Sequence, residues 1–375
     1  MSIKNNSIWI NAGEASGDMH GARLAKELME RDPGLKVMGM GGSAMEKAGC
    51  DICYPMQLIS LVGLTEVLPK LPRLLKLFGQ IEDILKAERP KAIVLIDCPD
   101  FNFRLVKIAR KLDIPVYYYI TPQIWAWRQG RAKFLQKHVR KILCILPFEQ
   151  QFFKERGVDA QYVGHPLLDL IPLDELDAIN PDPDLIGILP GSRSKEISSL
   201  LPEFAMAAER LSKDFPELKF SIARAPGVKE EKLRHFWPDH IPVTINQPEN
   251  RYRLMRNSNA IMAASGTATL ECALIGTPTL VAYKMSALSG FLAKRILNIK
   301  YVSLANIIPD KLILPEYLLE NATADNFYKQ IRQWVGFPES AQKVRAELKE
   351  LREMIGEPGV AARTAETILE DLKSI

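Results

Sequence analysis

The 375-residue chain has no apolar run near the ~18 residues that a membrane span requires. Its first apolar cluster, Ile8-Trp9-Ile10, soon meets Asn11 and charge instead of extending into a signal-type core. A cytoplasmic, non-spanning protein is expected. A large excess of either sign of charge is lacking as well. A net charge of +4 offers no concentrated basic face, so no nucleic acid partner is expected, but it permits contact with anionic lipid. The cysteines number five, an odd count. Cys98 and Cys144 sit in strand-like runs and Cys272 in a helical one. Cys50 and Cys53 form a lone C-x-x-C with no second ligand pair at zinc spacing, so buried thiols are preferred over a redox dithiol. No H-E-x-x-H or other metal spacing occurs, and no metal is expected. The chain also lacks a Walker G-x-x-x-x-G-K-[ST], which disfavours ATP hydrolysis of that type. It lacks a G-x-G-x-x-G with a following acid opening either half, which disfavours NAD. No cofactor is expected.

What is present is an ordinary globular composition, 47% apolar and 25% charged, in a chain long enough for two cores. Apolar runs read as strands at Ile8–Ala12, Val37–Met40, Ala92–Ile96, Val116–Ile120 and Ile142–Leu146. A second series follows at Leu185–Leu189, Phe220–Ala223, Val243–Ile245, Ala260–Ala263 and Thr279–Tyr283. Helical patterns separate them. Gly13 to Asp18 reads as a turn before a helix from Met19 to Arg31, and Leu200 to Leu211 carries apolar residues at helical spacing. Continuous Val/Ile/Leu runs between helices predict parallel sheets covered on both faces. The stretch 171–184, with Pro172, Pro181, Pro183 and several Asp, reads as a linker. The expected fold is α/β: two Rossmann-like domains facing across a cleft, 1–170 and 185–340. A helical tail, 341–375, is expected to pack back on the first domain or on a partner.

In such folds ligands gather at the carboxyl ends of the strands. The residues just after the strands are therefore the informative ones. Leu189-Pro190-Gly191-Ser192-Arg193 leaves a strand and opens a helix, so backbone N–H groups and the helix dipole face an anion, and Arg193 adds a planar donor fork for phosphate oxygens. Ser265-Gly266-Thr267-Ala268-Thr269 repeats the arrangement after the 260–263 strand. Glu271, about one turn into its helix, can accept both ribose hydroxyls of a nucleotide; the alternative is a capped helix with a surface Glu. Asp97 and Asp100 flank Pro99 after a buried strand. A carboxylate there can act as a general base, and Asp100 also suits a helix cap. Trp125-Ala126-Trp127-Arg128 either lines a sugar or acyl pocket or is plain core. His20 and His165 are site candidates or satisfied structural histidines.

From Leu61 to Leu85 one helical face is apolar. Lys70, Arg73 and Lys76 lie opposite, and the prolines at 69 and 72 place the start of a regular helix near Leu71. The later part reads as a helix on its sheet. The earlier excess of Leu and base, with Val62, Leu64, Val67, Leu68, Leu71, Leu74 and Leu75 outward, also fits a surface that dips into an anionic membrane.

These stretches, taken in order, resemble the lipid-A-disaccharide synthase family of inverting glycosyltransferases, whose architecture is GT-B. The resemblance rests on Ala12-Gly13-Glu14-Ala15-Ser16-Gly17-Asp18, Gly39-Met40-Gly41-Gly42, Asp97-Cys98-Pro99-Asp100-Phe101-Asn102, Trp125-Ala126-Trp127-Arg128, Leu146-Pro147-Phe148-Glu149 and Val163-Gly164-His165. It continues through Leu189–Arg193, Ser265–Glu271 and Tyr301-Val302-Ser303-Leu304-Ala305-Asn306. It implies transfer from UDP-2,3-diacylglucosamine to 2,3-diacylglucosamine 1-phosphate (lipid X), giving the β-1,6-linked lipid A disaccharide 1-phosphate and UDP. It also implies Asp97 as the base, Arg193 on the donor's diphosphate, and Glu271 and Asn306 on the nucleotide. Glu14, Ser16, Asp100, Asn102, Trp125, Arg128 and His165 are then candidates for the sugars. The acylated substrates give the Leu-rich stretch a purpose at the cytoplasmic face of the inner membrane, and a homodimer suits the family. Cys98 and Ala305 stand where the family often has Ala and Pro. The competing expectation is a UDP-N-acetylglucosamine 2-epimerase or another nucleotide-sugar enzyme on the same fold.

Overall fold

The computed structural model describes residues 5–60, 67–126, 129–284 and 300–374; for Asn5, Ser60 and residues 67–71 only the backbone is described. The chain forms two units. The first comprises residues 1–169 and 357–375, the second residues 170–356.

The first unit holds seven parallel strands: β1 (Asn5–Ala12), β2 (Lys36–Gly41), β3 (Asp51–Pro55), β4 (Pro90–Ile96), β5 (Val116–Tyr119), β6 (Lys141–Cys144) and β7 (Ala160–Tyr162), in the order β3-β2-β1-β4-β5-β6-β7. Side chains alternate between its faces. Ile8, Ile10 and Val94 pack under helices Ala15–Arg31 and Val360–Lys373 through Leu24, Leu28, Val360 and Ile368. Trp9, Ile93 and Leu95 face helices Val67–Glu88 and Pro99–Lys111 through Ile81, Leu85 and Leu105. The second unit has six parallel strands: β8 (Asp182–Leu189), β9 (Lys219–Ala223), β10 (Val243–Asn246), β11 (Ser258–Ala264), β12 (Thr279–Tyr283) and β13 (Glu316–Leu318), in the order β10-β9-β8-β11-β12-β13. Its main core joins Ile186, Ile188, Phe220 and Met262 to Leu201, Phe204, Phe327 and Ile331.

Each sheet reverses its strand order once, between β1 and β4 in the first unit and between β8 and β11 in the second. Register sets what meets there. Ala12 pairs with Ile96, so Gly13 and Asp97 leave the sheet side by side. Leu189 pairs with Ala263, so the glycine loop after β8 emerges beside Ser265. These crevices are where ligands of open α/β sheets bind.

Several boundaries differ from the sequence reading. The stretch 171–184 is folded into the second unit: Ile171, Leu173 and Leu176 are buried, a short helix covers Leu173–Asp177, and Arg256 donates to the carbonyls of Leu176 and Ile179. The tail divides. Helix Pro338–Ile355 stays with the second unit and only Val360–Lys373 joins the first. There Asp371 accepts from Tyr117 and Arg140, and Asp169 accepts three backbone N–H groups at the last helix's start. The first helix begins at Ala15, so Ser16 to Asp18 form its opening turn. The helix expected from Leu71 starts at Val67. Pro72 lies inside it and forgoes one bond without ending it.

Candidate functional site

In the first unit the crevice is built around Asp97. Asp97 and Cys98 both have φ of +44°, a left-handed conformation that costs roughly 1–2 kcal/mol per non-glycine residue. Hydrogen bonds hold it. The Asp97 carbonyl accepts from the Asn102 amide at 2.6 Å and the Tyr118 hydroxyl at 2.7 Å, and its N–H donates to the Ile120 carbonyl at 3.1 Å. Asn102 is in turn fixed by the Asn11 amide, which donates to it at 2.8 Å. Gly13 permits the close approach of the neighbouring turn, since a Cβ there would lie 2.6 Å from the Cys98 sulfur. The Asp97 carboxyl is pushed above the ordinary carboxylate range, first by burial and second by the Glu14 carboxylate beside it. A poised base needs this kind of shift. Glu14 and Ser16 are exposed at the same rim.

Asp18 builds the adjacent wall. Its carboxylate is buried and accepts the N–H groups of Gly42, Ala44 and Met45 at 2.7, 2.9 and 3.1 Å, locking the Gly41-Gly42 turn after β2. Glu149 has a similar part. It is 1% exposed, accepts from Trp125 Nε1 at 3.1 Å and from the Leu146 N–H at 3.2 Å, and burial pushes its carboxyl up to about 7. Trp125 therefore stands fixed, edge-on to Phe148.

In the second unit a pocket of about 340 Å3 is lined by Gly191, Ser192, Arg193, Arg224, Arg251 and Ser265 to Ala268, with Glu271 among its walls. Gly191 has φ of +97°, and a Cβ there would meet a Glu196 carboxylate oxygen at 2.6 Å. The helices Ser194–Asp214 and Thr267–Ile275 both begin at this pocket. Arg193 is exposed and donates to Glu196 at 2.7 Å, while the Ser192 and Arg193 N–H groups reach the same carboxylate at 3.3 Å. Glu271 is 8% exposed. It accepts from the Tyr252 hydroxyl at 2.9 Å, with Arg251 3.8 Å away; burial raises its carboxyl and Arg251 opposes the rise.

The structure separates the expected residues. Gly191, Ser192, Arg193, Ser265, Gly266, Thr267, Ala268 and Glu271 share the second-unit pocket. Thr269 does not open into it: its hydroxyl caps the Gly266 carbonyl at 2.8 Å and meets Ser303 at 3.1 Å. Asn306 is not among the residues that line this pocket. It is fully buried, its oxygen accepts the N–H groups of Ile313 and Leu314, and its amide donates to the Leu314 carbonyl and Glu316, so every polar atom is used in bracing the loop before β13. Asn102 is likewise buried and braces Asp97. His165 is 7% exposed, its Nδ1 accepts the Leu167 N–H at 3.2 Å, and burial lowers it to about 3. His20, lowered to about 4 by burial and by Arg23, belongs to the same packing. Asp100 is an exposed partner of Arg131 at 3.1 Å. Trp127, Arg128, Val62 and Leu64, and the side chains of Val67, Leu68 and Leu71, lie outside the described residues. Leu74 is half-buried and Leu75 exposed. Arg224, Arg251 and Tyr252 were missed, although Arg224 directly follows β9 and Arg251 lies five residues after β10.

Two parallel α/β units with a helical tail define the GT-B class of fold. Solved structures agree. A UDP-GlcNAc 2-epimerase from Neisseria meningitidis bound to UDP-GlcNAc superposes with a TM-score of 0.62 at 13% identity, covering 98% of this chain and 100% of that one. A ugt transferase from Siraitia grosvenorii in complex with UDP gives 0.60 at 14%, covering 98% and 99%. The family of lipid-A-disaccharide synthetases matches residues 8–366. Lipid-A-disaccharide synthases of Anaeromyxobacter dehalogenans and Myxococcus xanthus are 38% and 36% identical, each over 97% of both chains, and that of Geobacter sulfurreducens is 34% identical over 98% of both. The chain belongs to the lipid-A-disaccharide synthase family and is a glycosyltransferase, which sets aside the epimerase alternative. Among the described residues no helix is long and apolar enough to cross a membrane.

Proposed function

We propose that the chain condenses UDP-2,3-diacylglucosamine with lipid X, with the proton-accepting group in the first unit and the diphosphate-holding groups in the second. The observation that carries this is the contrast between a half-buried, charge-crowded carboxylate at one switch point and glycine-opened helix N-termini with arginines at the other. Asp97 takes the proton from the acceptor's 6-hydroxyl as that oxygen attacks the donor's anomeric carbon. The bond from that carbon to the diphosphate breaks on the opposite face, and UDP leaves with the electron pair, so the configuration inverts. Arg193, Ser192, Thr267 and the helix N-termini stabilise the charge that develops on the leaving diphosphate. Glu271, oriented by Tyr252, accepts ribose hydroxyls. Arg193 exchanges its Glu196 partner for phosphate oxygens. Glu14, Ser16 and Trp125 contact the sugars.

The same reading places the protein peripherally on the cytoplasmic face of the inner membrane. Leu75 is 57% exposed between exposed Arg73 and Lys76, the combination that suits an anionic interface. A homodimer belongs to this reading as well. The test is UDP release by purified protein given UDP-2,3-diacylglucosamine with and without lipid X in detergent micelles. Release that requires lipid X, with a disaccharide in the mass spectrum, is expected. No release with these substrates, but turnover of plain UDP-N-acetylglucosamine, would overturn it.

A further inference from the structure

Among the described residues of the first unit, two hollows lie beyond the crevice and bear on this question. The larger, about 710 Å3, lies under the last helix near the amino end of β1, and its cations, Arg31, Lys91 and Lys373, face as many carboxylates, Asp32, Glu366 and Glu370. It has no charge preference and sits at the wrong end of the sheet for the reaction. The smaller, about 430 Å3, differs on both counts. It is lined by Asp100, Phe103, Arg104, Lys107, Arg131 and Phe134, together with Gly130.

This groove is cationic, and its cations are held in place. Arg104 lies over the Phe78 ring at 5.5 Å, Lys107 over Phe134 at 6.0 Å and Arg131 over Phe103 at 4.9 Å. Aromatic faces orient these side chains without neutralising them. The opposing acid is Asp100, 84% exposed and paired with Arg131 at 3.1 Å. Arg104 and Lys107, one turn apart on the exposed face of helix Pro99–Lys111, form no ion pair among the described residues. The lining thus carries three cations and a single carboxylate.

The groove also adjoins the base. Phe103 packs against Tyr118, with ring centroids 6.3 Å apart, and the Tyr118 hydroxyl donates to the Asp97 carbonyl. Asp97 leads directly into the helix that carries Asp100, Arg104 and Lys107, and Arg104 stands about two helical turns beyond it. In an acceptor sugar the carbon that bears the 6-hydroxymethyl group and the anomeric carbon both flank the ring oxygen, so the anomeric substituent lies within one sugar's width of the hydroxyl offered to Asp97.

We propose that this groove binds the anomeric phosphomonoester of the acceptor, with Arg104 and Lys107 as its selecting cations and Arg131 shared between the phosphate and Asp100. The inference rests on the reading of lipid X as acceptor and deepens it. A phosphomonoester carries between one and two negative charges at neutral pH and three acceptor oxygens, which match a guanidinium fork and an ammonium. The groove makes the enzyme selective for a phosphorylated acceptor over the same diacylated sugar without phosphate.

The experiment compares full-length wild type with Arg104→Gln, Lys107→Gln and the double variant in non-ionic micelles. UDP release is measured with lipid X and with dephosphorylated 2,3-diacylglucosamine as acceptors. Wild type is expected to prefer lipid X in kcat/KM by roughly 10- to 100-fold, the range of one or two charge-assisted hydrogen bonds. In the double variant that ratio falls toward one through a raised KM for lipid X, the KM for the sugar nucleotide holds, and Arg104→Lys restores part of the preference. Both side chains are exposed, and each single variant, checked for an unchanged melting transition, reports part of the effect. Retention of the full preference by the folded double variant would overturn this inference alone. An equal loss on both acceptors that tracks weaker sedimentation with phosphatidylglycerol vesicles would assign the cations to lipid headgroups and overturn it too. Absence of any lipid X-dependent release by wild type would instead overturn the reaction reading beneath it.

Discussion

The two units share a sheet topology and use it for opposite charges. At the first switch point two consecutive non-glycine residues are held left-handed, and the carboxylate they present is raised by burial and by Glu14. At the second, Gly191 takes the unusual conformation, two helices begin, and Arg193, Arg224 and Arg251 border the pocket. The helix that follows a strand in an open α/β sheet offers N–H groups and a dipole suited to anions. The second unit adds arginines to that tendency. The first works against it, and the brace of Asn11, Asn102 and Tyr118 holds the outcome in place. What the fold supplies is therefore a location; the residues after the strands decide its chemistry.

Substitutions that erase the difference between the units should have the largest effects. Asp97→Asn keeps the shape and removes the base, and kcat is expected to fall by about 10^2- to 10^4-fold in a UDP-release assay. Arg193→Ala takes a guanidinium from the leaving diphosphate and should lower kcat/KM by roughly 10- to 100-fold. Glu149→Gln tests the support of Trp125. With its carboxyl raised to about 7 against 4.5, the folded state binds the proton more tightly than the unfolded chain. Protonation therefore favours folding, and the group's contribution declines as pH rises from 4.5 through 7. Melting curves of Glu149→Gln should lack that decline, which amounts to on the order of 3 kcal/mol. Smallest is Glu14→Gln. Because Glu14 helps raise Asp97, removing its charge should move the acid limb of the kcat/KM profile to lower pH. An unmoved limb would detach Glu14 from the base.

The central strands were legible because they are continuous apolar runs buried on both faces. Three strands were not: β3, β7 and β13 are sheet edges, short and half-buried, and Asp51-Ile52-Cys53-Tyr54-Pro55, Ala160-Gln161-Tyr162 and Glu316-Tyr317-Leu318 show no such run. Proline and aspartate in 171–184 suggested a linker, but Ile171, Leu173 and Leu176 carry enough apolar surface to fold it down. The strand-end rule singled out Asp97 beside Gly13, and Gly191, Arg193 and Ser265 to Ala268, which line one pocket; applied to β9 it would also have singled out Arg224. It could not distinguish a polar residue that faces a ligand from one that braces the chain. Asn102 and Asn306 both follow strand or loop motifs, yet their amides are consumed by carbonyl, carboxylate and N–H partners that the fold alone brings near. Tyr252 reaches Glu271 from another helix, 19 residues away in sequence.

The division of labour between the units is tested most directly by UDP affinity measured calorimetrically for wild type, Asp97→Asn and Arg193→Ala. Wild-type affinity in Asp97→Asn, beside a clear loss in Arg193→Ala, is the predicted result. An equal weakening in both would contradict the assignment of proton transfer to the first unit and diphosphate binding to the second.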